Sequence, residues 1–167
     1  MKTKAQKLNI KDFPFKIHDK DGNQIYYELS DGYWVERTFN SNGKILTYKD
    51  STGYSYERTY NSNGNQLTYK DSYGYWDERT FNSNGTILTF KDSDGYWIAS
   101  TYDDNGNQLT FKNSDGYSYE RTYDSKGNEL TCKDSNGVNI DNRKVIVSMS
   151  EIADKFGISV NQLKIKK

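Results

Sequence analysis

The stretch GYWVERTFNSNGKILTYKDST, residues 32–52, decides the fold. It returns with few changes from Gly53, Gly74, Gly95 and Gly116, a strict 21-residue period. A second glycine series, Gly43, Gly64, Gly85, Gly106 and Gly127, keeps the same spacing, and Gly22 and Gly137 extend the two series at the ends. Each period holds two segments rich in threonine and aromatic residues, such as YSYERTY from Tyr54 and NQLTYKD from Asn65, a composition that favours strands. Between them lie turns of Asn, Asp, Ser and Gly. The polar side chains of such turns bond their own backbone, and the glycine supplies positive φ. Turn signals at this density leave no room for helices. The repeat region reads as mainly β: a repetitive antiparallel β-hairpin meander of about eleven short strands.

With NSNG as a four-residue loop and STG as a three-residue loop, Arg37 faces Leu46, Val35 faces Tyr48, and Tyr48 faces Tyr56. One face then carries straight rows of Val35, Tyr48, Tyr56 and Tyr69, and of Arg37, Leu46, Arg58, Leu67 and Arg79. The other carries Glu36, Thr47, Lys49, Trp34, Trp76 and Trp97. The sheet spans roughly 50 Å at about 4.8 Å per strand, too wide for the ends of the chain to cover. It therefore either curls around the first face or stays a single layer.

Outside the repeats the pattern changes. Residues 1–11 are basic and aperiodic and read as a loose arm. Residues 12–141 form the repeat domain, with Pro14 placing the first strand at a sheet edge. Residues 142–167 form a small strand–helix module. In it KVIVSM at 144–149 reads as a strand, SEIADKFG as a short helix with Ser150 as N-cap and Gly157 as its stop, and ISVNQLKIKK as a second helix. This helical module is expected to cap the last strand edge, as repeat arrays require.

Composition narrows the function classes. The hydrophobic fraction is 33% while aromatics reach 15%, which separates the chain from disordered polar sequences. Lys+Arg and Asp+Glu are equal at 23 each, against a strongly basic nucleic-acid binder. The one cysteine, Cys132, excludes an internal disulfide. No signal peptide or membrane-length apolar run is visible, so the expectation is a cytoplasmic protein without a membrane role.

The phrases TYDDNGNQLTFKNSDG and TYDSKGNELTCKDSNG, with Tyr102-Asp103-x-x-Gly106 and Tyr123-Asp124-x-x-Gly127, resemble YD repeats, also called Rhs repeats. The resemblance covers roughly residues 18–137; earlier copies depart, with Phe39-Asn40, Tyr60-Asn61 and Phe81-Asn82. It implies long β-sheets of the kind that wrap cargo in large toxins, although this chain has too few repeats to enclose anything. Gly-Tyr-Trp and Asn-Ser-Asn-Gly at a period near twenty are similar to choline-binding cell-wall repeats. The segment EIADKFGISVNQLKI is similar to a helix-turn-helix core, through Ala153, Gly157, Ile152, Ile158 and Leu163, and to the first half of a LysM module.

Catalytic chemistry finds no foothold. His18 is the single histidine, beside the turn acids Asp19 and Asp21. Cys132 replaces an inward Tyr or Phe and has no basic cluster to activate it. No Cys/His metal spacing, phosphate loop or nucleophile elbow is present. The reading is therefore non-enzymatic, with no cofactor and no metal. Binding remains. Trp34, Trp76 and Trp97 sit on the polar face, Arg37, Arg58 and Arg79 repeat beside the aromatics, and Ala99 and Ser100 replace the Glu-Arg of other repeats. Trp and Arg dominate interface hot spots. These eight residues form the candidate binding set of an interaction protein. Its expected partner is a protein or a protein–nucleic acid complex, in one version as a phage or mobile-element inhibitor of a host defence factor such as a CRISPR nuclease. The alternative is a cell-wall or carbohydrate binder.

Overall fold

The computed structural model describes residues 2–143 and 147–163. A short helix α1, Lys4–Leu8, precedes thirteen strands. These are β1 Phe15–His18, β2 Gln24–Glu28, β3 Trp34–Phe39, β4 Ile45–Asp50, β5 Ser55–Tyr60, β6 Gln66–Asp71, β7 Trp76–Phe81, β8 Ile87–Asp92, β9 Trp97–Tyr102, β10 Gln108–Asn113, β11 Ser118–Tyr123, β12 Glu129–Asp134 and β13 Asn139–Asp141. Helix α2, Met149–Phe156, and a 3-10 turn, Val160–Gln162, follow. The strands form one antiparallel sheet in strict chain order, with β1 and β13 as its edges. The choice between curling and a single layer thus falls to the open single layer. The strands number thirteen rather than about eleven, and β1, the edge strand expected next to Pro14, forms with β2 a degenerate first repeat.

Both loop types hold three residues. In the NSNG turn Asn40 N–H donates to the Lys44 carbonyl at 2.9 Å and Gly43 N–H to the Asn40 carbonyl at 3.0 Å. The Asn40 Oδ1 also accepts the N–H groups of Asn42 and Lys44, both at 3.0 Å. These bonds draw Asn40 and Lys44 into the ladder and shorten the loop by one residue. Further along, Phe39 pairs with Ile45 but Thr38 pairs with Thr47, so Leu46 is an extra residue, a β-bulge. The same irregularity recurs in every hairpin of this type, from β1–β2 to β11–β12. The alternate hairpins, such as β4–β5, run without it.

The bulge corrects the expected register. Arg37 faces Tyr48 rather than Leu46, and Val35 faces Asp50 rather than Tyr48, whereas Tyr48 does face Tyr56. The displacement is two residues, so each side chain keeps its face. The rows, however, are oblique. One runs Arg37, Tyr48, Tyr56, Asp71; the next runs Arg58, Tyr69, Asp77. Each pair of strands steps two residues along, and with about 4.8 Å between strands and 3.4 Å per residue the strands lean about 35° from the normal to the sheet's long axis.

Little of this is core in the ordinary sense. The chain exposes 12125 Å², against about 8,500 Å² for a compact monomer of its mass. Among the described residues, the buried apolar ones are Ala5, Tyr26, Val35, Cys132 and Ala153. Lateral packing within the layer replaces a second layer. Tyr48 and Tyr56 stack on the first face, and five threonine pairs, from Thr38–Thr47 to Thr122–Thr131, share hydroxyl bonds of 2.6–2.7 Å on the second.

The ends differ from expectation. Residues 4–8, assigned to a loose arm, form α1, closed by a reciprocal Thr3–Gln6 cap. Helix α2 begins at Met149 with Ser148, not Ser150, as its N-cap, because the Ser148–Glu151 pair supplies the S-x-x-E box. Gly157 is the C-cap, as expected, with φ 64°. The strand expected at 144–149 lies partly outside the described residues, and its last residue is helical. The second helix shrinks to the 3-10 turn, and residues 164–167 lie outside the description.

Candidate interaction faces

The eight candidate residues divide between the two faces. On the second face the register aligns Thr38, Thr47, Glu57, Lys70 and Trp76 in one row, and Thr59, Thr68, Glu78, Lys91 and Trp97 in the next. The third row runs Thr80, Thr89, Ala99, Lys112, Ser118. Ala99 thus takes the glutamate's place opposite Lys112, and the row keeps its cation without its acid. Trp97 lies two residues from Ala99 on the same strand and is 39% exposed. Lys91 places its Nζ 5.6 Å from the Trp76 ring centroid, a cation–π contact that holds Trp76 to the sheet.

Trp34 has a different setting. Its ring stacks on Tyr26 at 6.3 Å with planes 18° apart, and it lines a cleft beneath α1. It is therefore covered on one side, whereas Trp97 faces open solvent.

Arg37, Arg58 and Arg79 lie on the first face with Ser100. The Arg58 guanidinium sits 4.3 Å from the Tyr56 ring and 5.4 Å from Tyr69; Arg37 sits 5.7 Å from Tyr48. Arg79 packs 5.4 Å from Phe90 and pairs with Asp77. Its Nη2 donates to Asp77 Oδ2 at 3.1 Å, while the Nε–Oδ1 approach of 2.9 Å is an ionic contact without hydrogen-bond alignment. Ser100 is buried and accepts a bond from Gln108 Nε2 at 2.9 Å. Side-chain parity therefore prevents the arginines and Ser100 from joining the tryptophans in one patch.

Sequence reasoning missed the seat of α1. The Glu28 carboxylate is 2% exposed and accepts the Ala5 N–H at 3.0 Å, the Tyr26 hydroxyl at 2.7 Å, and the Thr3 hydroxyl. Lys4 Nζ reaches Glu36 at 2.6 Å. Burial pushes the Glu28 carboxyl up, but the bonds from Thr3, Ala5 and Tyr26 together outweigh it and hold it below the ordinary carboxylate value. Burial, then the bond to Glu28, pushes the Tyr26 hydroxyl up to about 12. The signal was present in the repeat. Glu28 stands where Lys49, Lys70, Lys91, Lys112 and Lys133 stand, and Tyr26 where Thr47, Thr68, Thr89, Thr110 and Thr131 stand.

Other groups are shifted by the same kinds of contact. Tyr48 and Tyr69 are raised, by burial first and then by hydroxyl bonds to Tyr33 and Tyr54. Asp50 is lowered: burial pushes it up, and bonds from Thr52 and Tyr48 outweigh that. Each such shift moves the group further from neutral pH, so it keeps the ionisation state it already has there.

No protein-family model matches the chain, and no curated protein matches it. Among the solved structures it is similar to are two of TccC3-containing assemblies. The crystal structure of TcdB2-TccC3 aligns with TM-score 0.47 and 15% identity over 71% of this chain and 7% of that chain. The Photorhabdus luminescens Tc holotoxin pore aligns with TM-score 0.46 and 13% identity, over 90% of this chain and 11% of that one. The chain thus spans a small fraction of the length of these proteins.

Proposed function

We propose that this protein is a non-enzymatic interaction protein that presents the second face of its open sheet to a macromolecular partner, a protein or a protein–nucleic acid complex. The observation that carries the reading is Trp97. It is 39% exposed on a face with no second layer, beside a row that has lost its glutamate at Ala99. A large aromatic in such a place adds little to the sheet and suits a hot spot. Trp97→Ala and Ala99→Glu should weaken capture of the partner, while Ser100→Arg, on the other face, should leave it intact. Equal capture by all three variants removes the reading. The narrower version, an inhibitor of a host defence nuclease carried by a phage or mobile element, is decided by the identity of what is captured.

The carbohydrate reading draws on spacing. Trp76 and Trp97 occupy equivalent positions one repeat apart, two strands across and two residues along, which places their Cα atoms about 12 Å apart. Retention on peptidoglycan that Trp76→Ala abolishes would favour it over a protein partner.

A further inference from the structure

We propose that the cleft between α1 and the second face binds a nucleoside phosphate, free or as the terminal residue of a nucleic acid. The cleft holds about 230 Å³, below the range of drug-sized sites and suited to a small ligand. Lys2, Lys4, Lys7 and Lys49 line it together with Thr3, Tyr26, Trp34 and Glu36. The sheet itself sets one lysine against one glutamate here as in the following repeats, Lys49 against Glu36 as Lys70 against Glu57 and Lys91 against Glu78, and the α1 segment adds Lys2, Lys4 and Lys7 to this one row.

Here the acids are already engaged. Glu28 is occupied by Thr3, Ala5 and Tyr26, and Glu36 by Lys4. Among the described residues, Lys2, Lys7 and Lys49 have no ion-pair partner. Three lysines outside any ion pair, lining one cleft whose Glu36 is held by Lys4, call for a ligand with more than one negative charge. Trp34, whose inner face stacks on the buried Tyr26, supplies the other wall, a flat apolar surface on which a nucleobase stacks. Phosphate oxygens for the lysines and a planar ring for Trp34 define the ligand class.

The test follows the tryptophan indole N–H resonances of the full chain, with Trp34 assigned by its loss in Trp34→Phe. ADP is expected to move the Trp34 resonance saturably below about 1 mM and to leave Trp76 and Trp97 in place. The double variant Lys2→Gln, Lys7→Gln changes two exposed side chains and should weaken binding at least about tenfold, with the Ala5 amide still protected from exchange. Inorganic pyrophosphate should bind at least about tenfold more weakly than ADP, because it lacks the ring. A 5′-phosphorylated dinucleotide that matches ADP identifies a nucleic-acid end as a source of the same chemistry. The proposal is overturned if Trp34 stays fixed up to about 5 mM of both ADP and the dinucleotide, if the lysine variant binds unchanged, or if pyrophosphate equals ADP.

Discussion

Tyr48 and Tyr56 face each other across β4 and β5 with ring centroids 5.1 Å apart and planes within 3° of parallel. Arg58 lies over the Tyr56 ring, and Tyr69 flanks it at 5.6 Å. A layer with no second sheet depends on such lateral contacts. Tyr56→Ala removes one side of three of them and should lower stability by about 2–3 kcal/mol, combining lost apolar burial with lost aromatic pairing. Urea denaturation measures it. A loss within about 0.5 kcal/mol, as for an ordinary surface residue, would show that the aromatic layer is not what holds the sheet.

The seat of α1 should loosen in acid. The folded-state pKa of Glu28 lies below its unfolded value. Its contribution is therefore fully present above the unfolded value and is lost as pH falls through the folded one. Exchange at the Ala5 amide, corrected for the intrinsic rate, should accelerate below the ordinary carboxylate range. Glu28→Gln should loosen α1 at neutral pH by about 1–3 kcal/mol, since two hydroxyl donors and a backbone N–H lose their anionic acceptor. Protection of Ala5 that is flat with pH and unaffected by Glu28→Gln would mean that α1 is held by other contacts.

The turns carry a separate cost. Gly53 has φ 93°, and a methyl group added at its Cα would meet no atom within 4 Å. Any penalty for Gly53→Ala is therefore backbone strain alone, about 1–2 kcal/mol. Thr52→Ala, its neighbour, removes a hydroxyl bond of 2.6 Å to Asp50 and should cost about 1 kcal/mol. The two losses, read by the same denaturation, distinguish conformational strain from a missing bond. A neutral Gly53→Ala would contradict the positive-φ turn.

The fold was legible because period and parity are robust. Shifting the pairing by two residues leaves every side chain on its face, so Tyr48 and Tyr56 were placed opposite each other while Arg37 was matched with the wrong partner. The bulge at Leu46 escaped because a bulge residue is as apolar as a ladder residue; only the hydrogen bonds of Asn40 and Lys44 reveal the shorter loop. The choice between curling and staying open depends on long-range geometry that no local pattern carries. Helix α1 was missed although Thr3 and Gln6 spell its cap, since five residues without apolar periodicity give no helical signal of their own. What holds it is Glu28, a departure from the repeat whose benefit shows only against Thr3 and Ala5, 25 and 23 residues away.

The second face, around Trp97, is the surface proposed to meet the partner. The most direct measurement places a photo-crosslinking residue at Trp97 in one variant and at Tyr69, on the first face, in another, and exposes each to cell lysate under light. The expected result is one discrete crosslinked species at position 97, competed away by unlabelled wild-type protein, and none at position 69. A species at position 69 alone, or no competable species at either, would contradict it.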